Sequence, residues 1–205
     1  MLEDFYKSYC ESLYETLQKI NSSQMKILIQ KIDDAYQNYK QVFVLGNGGS
    51  AACASHWVCD FGKGINTEKG KRMKIFSLSD NASILTALGN DISYDDVFCY
   101  QLKNLAVQKD LVIFLSVSGN SKNLLKAADY CNGIGCDTVS IIGNYHGELG
   151  KRTKLNITLQ SQNYGIVEDI HLIINHILSQ YMKQRNLQLD EILNRKDGKE
   201  ANVCC

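Results

Sequence analysis

The chain has 205 residues, 44% of them hydrophobic and 21% charged, an average globular composition that excludes intrinsic disorder. At roughly 100–200 residues per domain, this length allows one full domain and a modest appendage. Lys and Arg total 22 against 22 for Asp and Glu, so the chain lacks the cationic surplus with which most nucleic-acid binders attract phosphate backbones.

From Leu2 to about Tyr39, apolar residues such as Leu13, Leu17, Ile20, Leu28, Ile32 and Tyr36 recur near helical spacing, with Asn21-Ser22-Ser23 as break and cap. This pattern predicts an N-terminal helical hairpin over residues 1–39. Gln41–Leu45 is a β-branched and aromatic run that enters Gly46-Asn47-Gly48-Gly49-Ser50, and Ala51–Phe61 then has helical character. Further along, strands are predicted at Met73–Leu78, Leu111–Ser116, Thr138–Ile142 and Leu155–Leu159. Helices are predicted at Ala82–Leu88, Ser121–Cys131 and Glu168–Met182. Uninterrupted apolar strands alternating with helices argue for strands buried on both faces. The expected fold is therefore α/β, a three-layer αβα sandwich around a parallel doubly wound sheet. Residues 1–183 read as one domain and 184–205 as a polar, loosely ordered C-terminal tail.

No apolar run reaches the roughly 18–20 residues that span a bilayer, and the opening Met1-Leu2-Glu3-Asp4 is acidic where a signal peptide would be basic. Eight cysteines fall at irregular intervals without a CxxC pair, which suits small buried apolar residues better than a zinc ribbon or a disulfide framework. These features predict a cytoplasmic protein with neither nucleic acid nor membrane as a partner.

Two loops suit an anion, because backbone N–H groups and the helix dipole favour negative charge where strands end and helices begin. In Gly46–Ser50 the glycines let the backbone approach a ligand, while Asn47 and Ser50 supply polar groups. Ser116-Val117-Ser118-Gly119-Asn120-Ser121 offers three hydroxyls between a strand and a helix start. Gly46-x-Gly48-x-x-Ala51 formally fits a dinucleotide fingerprint, but the ribose-binding acid expected about 20 residues on is missing from the end of the next strand. The lysine-bearing phosphate loop of NTPases is also absent. Serine-lined cups of this kind suit a sugar phosphate.

His56 and Asp60 lie four apart and share a helix face. Glu168 and His176 are eight apart, about 12 Å of helical rise, and would meet only by leaning toward a midpoint. These two pairs would bind a divalent ion or move protons. His171 points about 140° away from His176 and is read as a packing residue. Cys53, His56 and Cys59 would chelate together only by straining the helix, and His146 is read as surface.

Taken together, these motifs, with Leu88-Gly89-Asn90-Asp91, resemble the sugar isomerase (SIS) domain, and within it the phosphoheptose isomerases. The resemblance runs from the N-terminal helices to about Lys183. It implies a cytosolic homotetramer with active sites between subunits, interconverting sedoheptulose 7-phosphate and D-glycero-D-manno-heptose 7-phosphate. By the same resemblance Asp60 and His176 are the catalytic pair. His56, Asp60, Glu168 and His176 would hold one divalent metal per subunit, most simply Zn2+. Asn47, Gly48, Gly49, Ser50, Asn90, Asp91, Ser116, Val117, Ser118, Ser121 and Glu168 would contact substrate. The enterobacterial-type enzymes have Glu, Gln and Thr where this chain has Asp60, Glu168 and Val117. An arginine of theirs aligns with Gly64, which leaves Lys63 to contact phosphate. The alternatives are an isomerase of another phosphosugar, or a non-catalytic phosphosugar-binding module of the same fold.

Overall fold

The computed structural model describes residues 1–200; Cys204 and Cys205 lie outside the described residues. Five strands form one sheet: β1 (Gln41–Leu45), β2 (Lys74–Ser77), β3 (Leu111–Ser116), β4 (Asp137–Gly143) and β5 (Leu155–Leu159). Their order is β2-β1-β3-β4-β5, and every adjacent pair is parallel. The helices are α1 (Leu2–Gln18), α2 (Ser22–Gln37), α3 (Gly49–Cys59), α4 (Ala82–Asp91), α5 (Val97–Leu105), α6 (Lys122–Ile134), α7 (Leu149–Arg152) and α8 (Tyr164–Glu200).

The sheet is covered on both faces, as its apolar strands require. Along β3 the residues alternate between two cores. Leu111, Ile113 and Leu115 join Leu28, Trp57 and Ile170 of α2, α3 and α8, whereas Val112 and Phe114 join Phe98, Leu102 and Leu124 of α5 and α6. Each fully buried Leu, Ile or Phe in these cores contributes about 1.5–3 kcal/mol relative to an exposed one. The hairpin α1–α2 turns where expected, with Asn21 Oδ1 accepting from the Ser23 and Gln24 backbone N–H groups.

Three features differ from the sequence expectation. Helix α5 covers part of one sheet face and went unrecognised. The segment after Lys183, expected to be loosely ordered, continues α8 as helix to Glu200. It is anchored there: Arg185 Nη2 donates to Asp33 Oδ1 at 2.7 Å, and buried Asn186 donates to Tyr36 Oη and to the Ile65 carbonyl. Finally, the helix expected to run on to Phe61 changes pitch, because Asp60–Gly64 forms a single π-helical turn after α3. Among the described residues no helix is long and apolar enough to cross a membrane.

From β1 the chain passes to β2 on one side, while β3 pairs on β1's other side. The loops after β1 and β3 therefore diverge and open a crevice at the carboxyl ends of the strands, the position where such sheets bind ligands.

Candidate active site

The crevice is walled by the glycine loop after β1, the serine loop after β3 and the first turn of α8. Asn47, Ser50, Ser116, Ser118 and Ser121 line it together, with Val117, Tyr164 and Glu168 closing its side. Gly48 caps α3 with φ +55° and ψ −125°, a conformation that side chains with a Cβ rarely adopt. The amino end of α3 thereby faces the crevice, with the Ser50 N–H directed at Glu168 in its wall.

Glu168 already uses that end. Its carboxylate accepts hydrogen bonds from the Ser50 backbone N–H and hydroxyl, and it lies so close to Gly49 that a Cβ there would overlap it. Burial pushes the Glu168 carboxyl above the ordinary glutamate range, with the Ser50 bonds opposing. The Glu168 carboxylate thus occupies the Ser50 donors at the start of α3.

Helices α3 and α8 run side by side in the same direction. Cys53 Sγ donates to the Glu168 carbonyl, and further along Trp57 Nε1 donates to the His171 carbonyl at 3.2 Å. A turn beyond that contact, His56, Asp60 and His176 meet. The two Nε2 atoms are 3.0 Å apart, and Asp60 Oδ2 lies 3.4 Å from His56 Nε2 and 3.6 Å from His176 Nε2. Metal–ligand bonds of about 2.0–2.1 Å in a tetrahedron place neighbouring ligand atoms roughly 3.3 Å apart, so these three separations fit one divalent ion. Three protein ligands with a fourth position open is also the pattern of a catalytic rather than a structural site. Asp60 caps α3 with its backbone N–H bonded to the His56 carbonyl, so the two side chains stand one helical turn apart, and the π turn runs on from Asp60.

The four expected metal ligands thus divide. His56, Asp60 and His176 converge, while Glu168 sits in the serine cup. The eight-residue spacing on α8 explains this, because the helix cannot bend through about 12 Å to bring both side chains to one point. Among the expected substrate residues, Asn90 and Asp91 are exposed at the end of α4, bonded to one another at 2.8 Å and outside the cup. Lys63 is exposed in the π turn and lines neither cavity. Cys53 is buried and Cys59 exposed, so they do not join His56. His171 is fully buried, its Nε2–H donating to the Ile141 carbonyl.

Other residues at the site were not foreseen. Ser179, Gln180 and Lys183 line the cavity at Asp60 and His176. They stand three, four and seven positions after His176, the spacing of one helix face, which is the signal that would have found them. Asn175 donates from Nδ2 to Asp60 Oδ2 at 2.6 Å; only the packing of α3 on α8 reveals it.

The fold and site define a doubly wound α/β protein with a serine- and glycine-lined cup at its topological switch point and a His/Asp/His cluster further along the paired helices α3 and α8. The SIS domain family model matches residues 5–143. A phosphoheptose isomerase from Helicobacter pylori (strain Shi470) is 32% identical over 173 residues, 84% of this chain and 88% of that protein. Another from Geotalea daltonii is 32% identical over 188 residues, 90% of this chain and 97% of that protein. The solved structure of phosphoheptose isomerase from Neisseria gonorrhoeae superposes with a TM-score of 0.80 at 21% identity, covering 89% of this chain and 97% of that one. The chain belongs to the SIS domain family and, within it, to the phosphoheptose isomerases.

Proposed function

We propose that this protein is an aldose–ketose isomerase that converts sedoheptulose 7-phosphate to D-glycero-D-manno-heptose 7-phosphate through an enediol. The observation that carries the reading is the convergence of Asp60 and His176 beside the serine and glycine cup. The names of the Helicobacter and Geotalea relatives support the substrate. The cup and the His/Asp/His cluster lie at two levels along the paired helices, separated on α8 by about 12 Å of rise.

The chemistry follows from the groups present. Ser50, Ser116, Ser118 and Ser121, with the N–H groups at the start of α3, hold the phosphate and sugar oxygens. An aldose and a ketose differ by a proton moved between adjacent carbons. The Asp60 carboxylate takes that proton from one carbon, while His176 Nε2–H donates to the carbonyl oxygen. Asp60 then returns the proton to the neighbouring carbon, while His176 takes a proton from the hydroxyl on the first carbon, which becomes the aldehyde carbonyl.

His56, Asp60 and His176 would hold one Zn2+ per subunit. When bound, Zn2+ supplies Lewis acidity at the carbonyl and hydroxyl oxygens, the charge stabilisation that His176 Nε2–H supplies in its absence. The assembly is a cytoplasmic homotetramer with its sites near subunit contacts. Ile177 and Tyr181, beside the site, are each 55% exposed, and Phe5 and Tyr6 on α1 are 67% and 65% exposed, apolar surface that suits association. Six free thiols among the described residues fit a reducing compartment.

The test is turnover of sedoheptulose 7-phosphate and of five- and six-carbon ketose phosphates, followed by NMR of the products. Activity on the heptose, lost in Asp60→Asn and His176→Ala, is the expected result. Activity confined to a shorter sugar, or full activity in His176→Ala, overturns the reading.

A further inference from the structure

The glycine loop and the serine loop belong to different β–α units, yet an anion held between them requires that they keep a fixed separation. The contact that sets it is a pair of carboxamides. Asn47 Nδ2 donates to Asn123 Oδ1 at 3.0 Å, and Asn123 Nδ2 donates back to Asn47 Oδ1 at 3.0 Å. Asn123, in the first turn of α6 just past the serine loop, is 2% exposed. Tyr94, from the single 3-10 turn Tyr94–Asp96 between α4 and α5, donates its hydroxyl to the same Asn47 Oδ1 at 2.9 Å. Three segments of chain therefore meet on one oxygen atom.

We infer that Asn123 is a positioning residue that locks the glycine loop to the serine loop and fixes the face that Asn47 turns to a bound phosphate, with Tyr94 as the second support. A carboxamide has one end that donates and one that accepts. With Oδ1 engaged by two donors, Asn47 keeps its accepting end away from the cup and leaves Nδ2, which has a second hydrogen, as the end that meets an anion. Without Asn123, rotation about the last side-chain bond would present oxygen lone pairs to the phosphate. The loops would also lose the buried link that sets their spacing. Asn123 itself lines no part of the cup, so its effect on ligand is indirect, through the orientation of Asn47 and the spacing of the two loops.

This inference rests on the proposal that the cup holds the substrate phosphate. It is tested on the full chain with Asn123→Leu, Tyr94→Phe and the double variant, by calorimetric titration with inorganic phosphate and by steady-state kinetics with sedoheptulose 7-phosphate. Loss of one or two buried neutral hydrogen bonds predicts roughly tenfold weaker phosphate binding and a similar rise in KM for Asn123→Leu, with kcat changed less than twofold. Tyr94→Phe, a change on a residue whose ring is 58% exposed, should give about a threefold effect in the same direction and serves if Asn123→Leu does not fold. Because both act on one oxygen, the double variant should lose less than the product of the two single effects. Unchanged phosphate affinity in either folded single variant overturns the inference, as does a fall in kcat with KM constant. A protein that binds phosphate with the expected variant effects but does not turn over the heptose supports the clamp and overturns the substrate assignment. A wild-type protein that binds neither phosphate nor heptose phosphate overturns both.

Discussion

Asn175 Nδ2 lies 2.6 Å from Asp60 Oδ2, the same oxygen that faces His56 and His176. Asn175 is fully buried, and its own Oδ1 has no hydrogen-bond partner. The residue thus accepts an unfavourable arrangement at one end to hold the carboxylate at the other. An unsatisfied buried carbonyl costs about 1–3 kcal/mol, so Asn175→Leu, which keeps the branching and heavy-atom count of the side chain without its polar atoms, should not lower the melting temperature. It should nonetheless reduce kcat, or affinity for Zn2+ measured by chelator competition, by roughly 10–100-fold, as loss of a group orienting a ligand does. Opposite signs in stability and function are the expected signature; parallel losses would make Asn175 an ordinary packing residue.

The layers and the parallel character of the sheet were legible because a parallel sheet buried on both faces needs continuous apolar strands, and Val42–Leu45 and Leu111–Leu115 are such runs. Helix α5 was missed since it is short and its outer face carries Tyr100 and Leu105, each 45% exposed, which blurs its periodicity. The continuation of α8 was hidden for a related reason. Past Met182 it is mostly solvated, and its anchors are polar, Arg185 and Asn186. At the site, the cup was readable from Gly46–Ser50 and Ser116–Ser121 alone, and His56 with Asp60 from their spacing. That His176 joins them depends on α3 lying alongside α8, which is a property of packing. The buried amides of Asn123 and Asn175 look like any polar residue until their partners are known.

Removing metal should change stability as well as rate. An ion bound only by the folded protein stabilises it by about 2.7 kcal/mol when its free concentration is a hundred times Kd. For a chain of this size that corresponds to a melting shift on the order of 5–10 °C. Purified protein loaded with Zn2+ and then dialysed against a chelator should melt lower, and Zn2+ should restore it. The His56→Ala and His176→Ala proteins should melt at one temperature with or without the ion. A wild-type protein whose melting ignores both chelator and Zn2+ would count against the cluster as a metal site.

Glu168→Gln tests the division between cup and cluster. The Glu168 carboxylate engages the Ser50 donors, the groups a phosphate would need, and its charge opposes a second anion nearby. Neutralising it should tighten inorganic phosphate binding by about tenfold or more, read by calorimetric titration. Were Glu168 instead a ligand at the cluster, the same change would weaken Zn2+ affinity and leave phosphate binding as it was.

His171 takes no part in the chemistry, yet it ties the stability of the fold to pH. It is fully buried against β4, and burial pushes its imidazole down to about 4 from the ordinary 6.5, with the bond to the Ile141 carbonyl opposing. Its Nε2–H donates to that carbonyl, while Nδ1 has no partner and would have to take up the second proton unsolvated. The folded state therefore holds His171 neutral at a pH where the unfolded chain has already protonated it. Protons bind preferentially to the unfolded state between those two values, so the His171 contribution is complete above about pH 6.5 and is lost as the pH falls toward 4. The difference corresponds to about 3 kcal/mol. Urea unfolding at intervals from pH 7.5 to 4 should show wild-type stability falling across that window more steeply than that of His171→Gln, whose amide can keep the donor to Ile141 but does not titrate. Parallel pH profiles for the two proteins would mean that His171 is protonated in the folded state as readily as in the unfolded one.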